Sequence, residues 1–325
     1  MNIKKIINIL LSVGISVAFL YLAMKDIDFG VVVSRSSEVH LPLFLFGLFL
    51  WMVGYVLRGV RWQVYFSVMG VPITFWHSFK TLVMGFAANN VFPLRAGEVY
   101  RAYALHKLYP HISITKTFTT VVVERVLDGI TVVFFTLVGS RFIPMPFWAN
   151  QAVEVASVIF GVMFVLFILT ARYPKKASKM FGTVTQVLPG VIKEKARNMF
   201  EQLIDGLMAF KSLKSLSRLM VLSFLIWSLE VCFYFVSFYA LGINLSIGFA
   251  AFLMGIINLA IVIPAGPGGV GTYEYVTVLS FSLLGVSESL SFLYAIVTHG
   301  AANLTVIALG LYYWYTLQKE SSKSS

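Results

Sequence analysis

Charge and cysteine are the two things this chain has least of. Only 12% of its 325 residues are charged, where soluble domains carry about a quarter. A soluble fold would leave most of this apolar surface in water, so a water-soluble domain is excluded. The single cysteine, Cys232, lies in an apolar run, which rules out a disulfide framework and a cysteine-based metal site. The five histidines are scattered without metal-ligand spacing, so neither a metal nor another cofactor is expected. A net charge of +11 raises the question of nucleic acid, but no folded basic domain is there to bind it.

What the chain has in abundance is apolar sequence: 58% hydrophobic residues and a mean hydropathy of +0.85. Runs of about 20 apolar residues are long enough to cross a bilayer as helices. The first is Ile6 to Met24, behind Lys4 and Lys5, read as a retained helix because no small-residue cleavage site follows. A polar loop occupies 25–40. Further spans are Leu41 to Leu57, Phe118 to Val138, Ala152 to Ala171, Leu219 to Leu241 and Leu290 to Leu317. Arg58 and Arg61 follow the second span.

Two apolar regions are interrupted. Pro264 to Glu274, PAGPGGVGTYE, packs two prolines, four glycines and a carboxylate into eleven residues. Proline lacks a backbone donor and glycine disfavours helix, so no continuous helix passes. Broken backbone at membrane depth is tolerated only where protein buries it or a wet cavity adjoins it. The reading is a re-entrant hairpin over about 247–285, with Pro264, Gly266, Gly268, Gly269 and Gly271 at its turn. Residues 85–103, GFAANNVFPLRAGEVYRAY, give a second break, with Asn89, Asn90, Pro93 and Gly97 at the turn and Arg95, Glu98 and Arg101 beyond it.

The fold class is therefore all-α and polytopic, with about six full spans and two re-entrant hairpins, as one membrane domain over 1–325. Its first half is about 1–150 and its second about 219–325. Between them the hydrophilic segment 172–218 holds ten Lys and Arg against three acids, whereas loops 25–40 and 139–150 carry Lys25, Arg35 and Arg141. Positive charge collects on the cytoplasmic side, which puts both termini and 172–218 there, in the cell (inner) membrane. Within that segment Ala196, Phe200, Leu203, Leu207 and Phe210 recur at helical spacing. A surface helix over Lys193 to Leu213 would rest either on anionic lipid or on the protein itself.

The two breaks suggest an inverted repeat. Glu98 precedes Glu124 by 26 residues and Glu274 precedes His299 by 25. Each later position has a polar partner one turn on, Asp128 and Asn303. Ionisable groups in spans are costly and mark pathways or pairs. Arg95, Arg101, Arg125 and Asn90 are candidates for an anionic head group. Glu98, Glu124, Asp128, Glu274 and His299 are candidates for charge balance or ion coupling. A local Arg125–Asp128 pair is the structural alternative. The glycine run lacks the Lys-Ser/Thr ending of a nucleotide loop.

Four segments in this order, Arg58-Gly-Val-Arg-Trp62, Asn90-Val-Phe-Pro-Leu-Arg-Ala-Gly-Glu98 with Arg101, Glu124-Arg-Val-Leu-Asp128 and Pro264 to Glu274, carry a resemblance over nearly the whole chain. The chain resembles the flippase-like membrane family related to the N-terminal membrane domain of lysylphosphatidylglycerol synthase/flippase proteins. The resemblance implies an integral membrane protein that moves or handles anionic or polyprenyl-type lipids. Relatives with aminoacyltransferase activity carry it on a separate soluble domain, and 172–218 is too short to be one. The expected function is thus a lipid transporter or flippase with membrane lipids as partners, not itself an enzyme. The alternatives are the membrane subunit of an aminoacyl- or glycosyltransferase, or an envelope-synthesis scaffold. Beyond lipids, the expected partners are a second copy of the chain or a lipid-modifying enzyme.

Overall fold

The computed structural model describes residues 3–92, 96–144, 147–187, 189–208, 212–262 and 266–321. Pro93, Arg95, Phe210 and Pro264 lie outside them. The described residues form α-helices and short turns, with no strand. In chain order the helices are α1 (Ile3–Met24), α2 (Phe29–Ser36), α3 (Leu41–Val68), α4 (Phe75–Val91), α5 (Ala96–Leu108), α6 (Ile114–Ser140), α7 (Phe147–Arg172), α8 (Pro174–Val184), α9 (Gly190–Met208), α10 (Leu213–Ala240), α11 (Ile247–Ala260), α12 (Thr272–Ser282) and α13 (Glu288–Ser321). Four helical stretches are long and apolar enough to cross a membrane: Leu41–Val68, Val153–Arg172, Leu213–Ala240 and Glu288–Lys319. The chain is an all-α, multi-pass membrane protein. α1 and α6, with 22 and 27 residues, also have the length of a crossing at 1.5 Å per residue; α6 is less apolar because Glu124, Arg125 and Asp128 share its middle.

Local sequence sets several helix starts. Thr74, Ser113 and Ser246 each accept a hydrogen bond from a backbone N–H of the first turn of α4, α6 and α11. Asp28 does the same for α2, a short helix inside what reads as a polar loop. The larger correction concerns α3. The expected span ends at Leu57, but the helix runs to Val68, and Arg58 and Arg61 lie buried within it. Arginine is a good helix former, so a fall in hydropathy did not mean the end of the helix. The surface helix in 172–218 runs Gly190–Met208 and packs on α6, α7 and α8. Ile204 and Leu207 are buried and Phe200 stacks on Phe181 with ring centres 3.9 Å apart. Its apolar stripe thus faces protein.

α3 and α10 form the central antiparallel pair. The His40 N–H at the start of α3 donates to the Ala240 carbonyl at the end of α10, and Arg61 donates to Ser223 nearer its start. Around this pair sit two helical hairpins, α4–α5 and α11–α12, which begin and end on opposite sides. The Tyr109 hydroxyl, just past α5, contacts His77 at the start of α4. Phe281, at the end of α12, meets Phe249 at the start of α11 on the far side, alongside Phe238 near the end of α10. α4 packs along α13, and α11 along α6. Exchanging α3, α4, α5 and α6 with α10, α11, α12 and α13 maps these main pairings onto one another. The first hairpin closes tightly because Gly97 has no side chain; a Cβ there would overlap the Gly85 carbonyl oxygen.

Candidate functional site

The turn of the second hairpin meets the end of α4. A 3-10 turn, Pro267–Gly269, carries the second tip, and Gly268 sits in it at φ +66° with the Asn90 backbone of α4 alongside. The turn is held from outside by α1, whose Ser16 hydroxyl accepts the Gly266 N–H at 2.6 Å. Gly271 starts α12 at φ +86°, and a side chain there would strike the Ser16 carbonyl. Between the tips, α10 and α13 lies a cavity of about 390 Å³. Its polar lining comes from Asn89, Asn90, Glu98, Arg125, Glu230, Asn258, His299 and Asn303, and its aromatic lining includes Trp51, Tyr234 and Tyr273.

Behind one wall is a buried ion network. Arg61 spans to Asp128 with both terminal nitrogens, at 2.5 and 3.1 Å. Asp128 also accepts the Trp227 indole N–H at 2.9 Å. Glu124 receives Arg125 at 2.6 Å and Arg101 at 3.4 Å. The Arg101 guanidinium lies 4.5 Å from the Trp62 ring centre, and Trp62 itself donates to Thr120. Arg58 pairs with Glu230 at 2.7 Å. Arg58, Arg61, Arg101 and Arg125 thus face Glu230, Asp128 and Glu124, and all but Arg125 are largely shielded, so the charges are paired as burial requires.

Arg125 is the member that leaves this network. Its side chain is 34% exposed, against 0–3% for Arg61 and Arg101, and it reaches the cavity beside Glu98 at 3.8 Å. On the opposite wall Glu274 and His299 pair at 2.6 Å under the Tyr273 ring, which stacks on the imidazole at 4.2 Å.

The family described as "Lysylphosphatidylglycerol synthase TM region" matches residues 9–310. The chain belongs to that family. A UPF0104 membrane protein from Methanothermobacter thermautotrophicus is 28% identical over 71% of this chain and 72% of its own length. A UPF0104 membrane protein from Pyrococcus horikoshii is 19% identical over 87% of this chain and 89% of its own. A Haloferax volcanii protein named glycosyltransferase AglD is 25% identical over 95% of this chain but 54% of its own length, so the chain spans about half of it. No solved structure matches.

In this TM-region protein the expected residues fall into distinct places. Asn90, Glu98, Arg125, His299, Gly266, Gly268 and Gly269 line the cavity. Arg101, Glu124 and Asp128 lie in the closed network behind it. Glu274 is buried against His299, Gly97 sits in the hairpin seam and Gly271 against α1. The local Arg125–Asp128 contact exists at 3.6 Å, but the closer partner of Asp128 is Arg61 from another helix. Arg58, Arg61 and Glu230 were visible as charges beside or within apolar runs; what spacing could not reveal was their partners.

Proposed function

We propose that this protein moves an anionic or polyprenyl-type lipid between the two leaflets of the cell membrane. The observation that carries the reading is the cavity between the hairpin tips. Among the described residues it holds the partly exposed Arg125 guanidinium and several amides inside a molecule whose outer helices are apolar, such as α7 with exposed Val155, Val158 and Val162. A guanidinium grips a phosphate oxygen pair, and amides suit the remaining oxygens or hydroxyls. The head group would cross through this cavity while its chains stay in the bilayer. The exchange of α3–α6 with α10–α13, and hairpins that turn back on opposite sides, support an inverted repeat of the kind transporters use for alternating access. Both termini and α8–α9 are taken to be cytoplasmic from the charge bias.

The likeness to a protein named glycosyltransferase AglD favours a second reading, the membrane part of a lipid-modifying transferase. Purified protein incubated with a panel of labelled lipids separates the two. The transport reading expects lipid redistributed between leaflets and chemically unchanged; an aminoacylated or glycosylated product from the pure chain would defeat it.

A further inference from the structure

Besides the bond from Gly266 to Ser16, three contacts at the second hairpin tip have donors that can be counted. Glu274 Oε2 accepts the Gly271 N–H at 2.6 Å, closing the first turn of α12. Glu274 Oε1 lies 2.6 Å from Nδ1 of His299 on α13. On the other edge of that ring, Nε2 lies 2.9 Å from the Gly268 carbonyl oxygen in the turn. A carbonyl oxygen only accepts, so Nε2 must bear a hydrogen. A second hydrogen must lie between Nδ1 and Oε1, or two lone pairs would face each other at 2.6 Å. Whether that hydrogen rests on nitrogen or on oxygen, the pair holds one proton more than a neutral imidazole and a carboxylate together.

The surroundings isolate this proton. Glu98, Glu124, Asp128 and Glu230 each face an arginine, which does not release its proton. Glu274 faces a histidine instead. The groups around the imidazole are Tyr273 from α12, Thr298 and Asn303 from α13 itself, and Asn90 from α4. Across the cavity stand Glu98 from α5, Arg125 from α6, Glu230 and Tyr234 from α10 and Asn258 from α11. Of the charged ones, Glu230 is bound to Arg58 and Glu98 to Arg125.

We propose that the Glu274–His299 pair is a proton-binding site that latches the second hairpin tip. With the proton bound, the imidazole ties Gly268 to α13. When it leaves, one hydrogen remains for two acceptors, and the charge-assisted bond to Glu274 is the stronger claimant. The bond to Gly268 is then lost, and the turn is freed from α13 beside Asn90, where the hairpins meet. The link to lipid movement, proton release opening the cavity, rests on the transport reading; the latch itself does not.

The test reads the tip directly. In full-length protein with Cys232→Ser, reconstituted in liposomes, spin labels at Val91 and Val270, both exposed and outside the cavity lining, report the separation of the hairpin ends. As pH is raised from about 5 to about 9, the short-distance population should fall. Its ratio to the long-distance population should change by no more than about tenfold per pH unit, the limiting slope of one proton. H299Q, which keeps the other four histidines, should abolish the dependence, and so should E274Q as an independent variant. A wild-type distribution unchanged over the range, or a shift that survives both substitutions, would overturn the proposal. A latch that titrates in protein that moves no lipid would leave this site standing and remove only the transport reading.

Discussion

Arg61 and Arg125 show how differently two arginines can be used a few ångströms apart. Arg61 is fully enclosed, with Asp128 and Ser223 as partners. Removing it takes from buried Asp128 its closest cation and leaves only the Trp227 indole and the more distant Arg125, so Arg61→Ala should cost on the order of 3 kcal/mol and depress expression and thermal stability whatever lipid is present. Arg125 keeps its place beside Glu124 but opens to the cavity. Arg125→Lys should therefore leave the protein folded, with a melting temperature near wild type, and slow lipid movement, because an ammonium cannot grip phosphate in two places. Comparing melting and translocation for the two variants checks the division; equal losses of stability would contradict it. The sequence showed both arginines and marked Glu124, Arg125 and Asp128 as one cluster. It could not show that Arg61 is the closer partner of Asp128, because that bond joins residues 67 apart through the packing of α3 on α6. Helical spacing reports only neighbours on one helix.

At the scale of elements, glycine and proline made both hairpins legible. Four glycines in eleven residues can hardly be helical, and the turn with Gly268 and Gly271 at positive φ is the result. The seam inside the first hairpin depends on Gly97. Gly97→Ala would push its methyl into the Gly85 carbonyl and should lower thermal stability markedly, whereas Gly161→Ala on α7 meets open space and should be neutral or slightly stabilising. Equal melting temperatures for the two would show that the hairpin does not close as described. What was not legible was the covering of each apolar face. The stripe on α9 has the right period for a membrane surface, yet α6, α7 and α8 take it. Periodicity tells which face is apolar, and only the tertiary arrangement tells what it meets.

For the whole molecule, the two hairpins begin on opposite sides of the bundle, and the charge bias proposes which side is cytoplasmic. A cysteine at Lys179 on α8, in a Cys232→Ser background, should react only with reagent supplied on the cytoplasmic side, and one at Ser36 at the end of α2 only from outside. Labelling of position 179 from outside would reverse the orientation. The central claim is that the cavity between the hairpin tips carries a lipid head group across. The most direct measurement is the rate of transbilayer movement of labelled lipids with phosphate-bearing head groups in liposomes containing purified protein, beside Arg125→Lys protein of equal melting temperature. The account predicts rapid movement with wild type and a rate at least about tenfold lower with the variant, the loss of roughly one charge-assisted contact. Movement at the same rate in both, or none above protein-free liposomes in either, would contradict it.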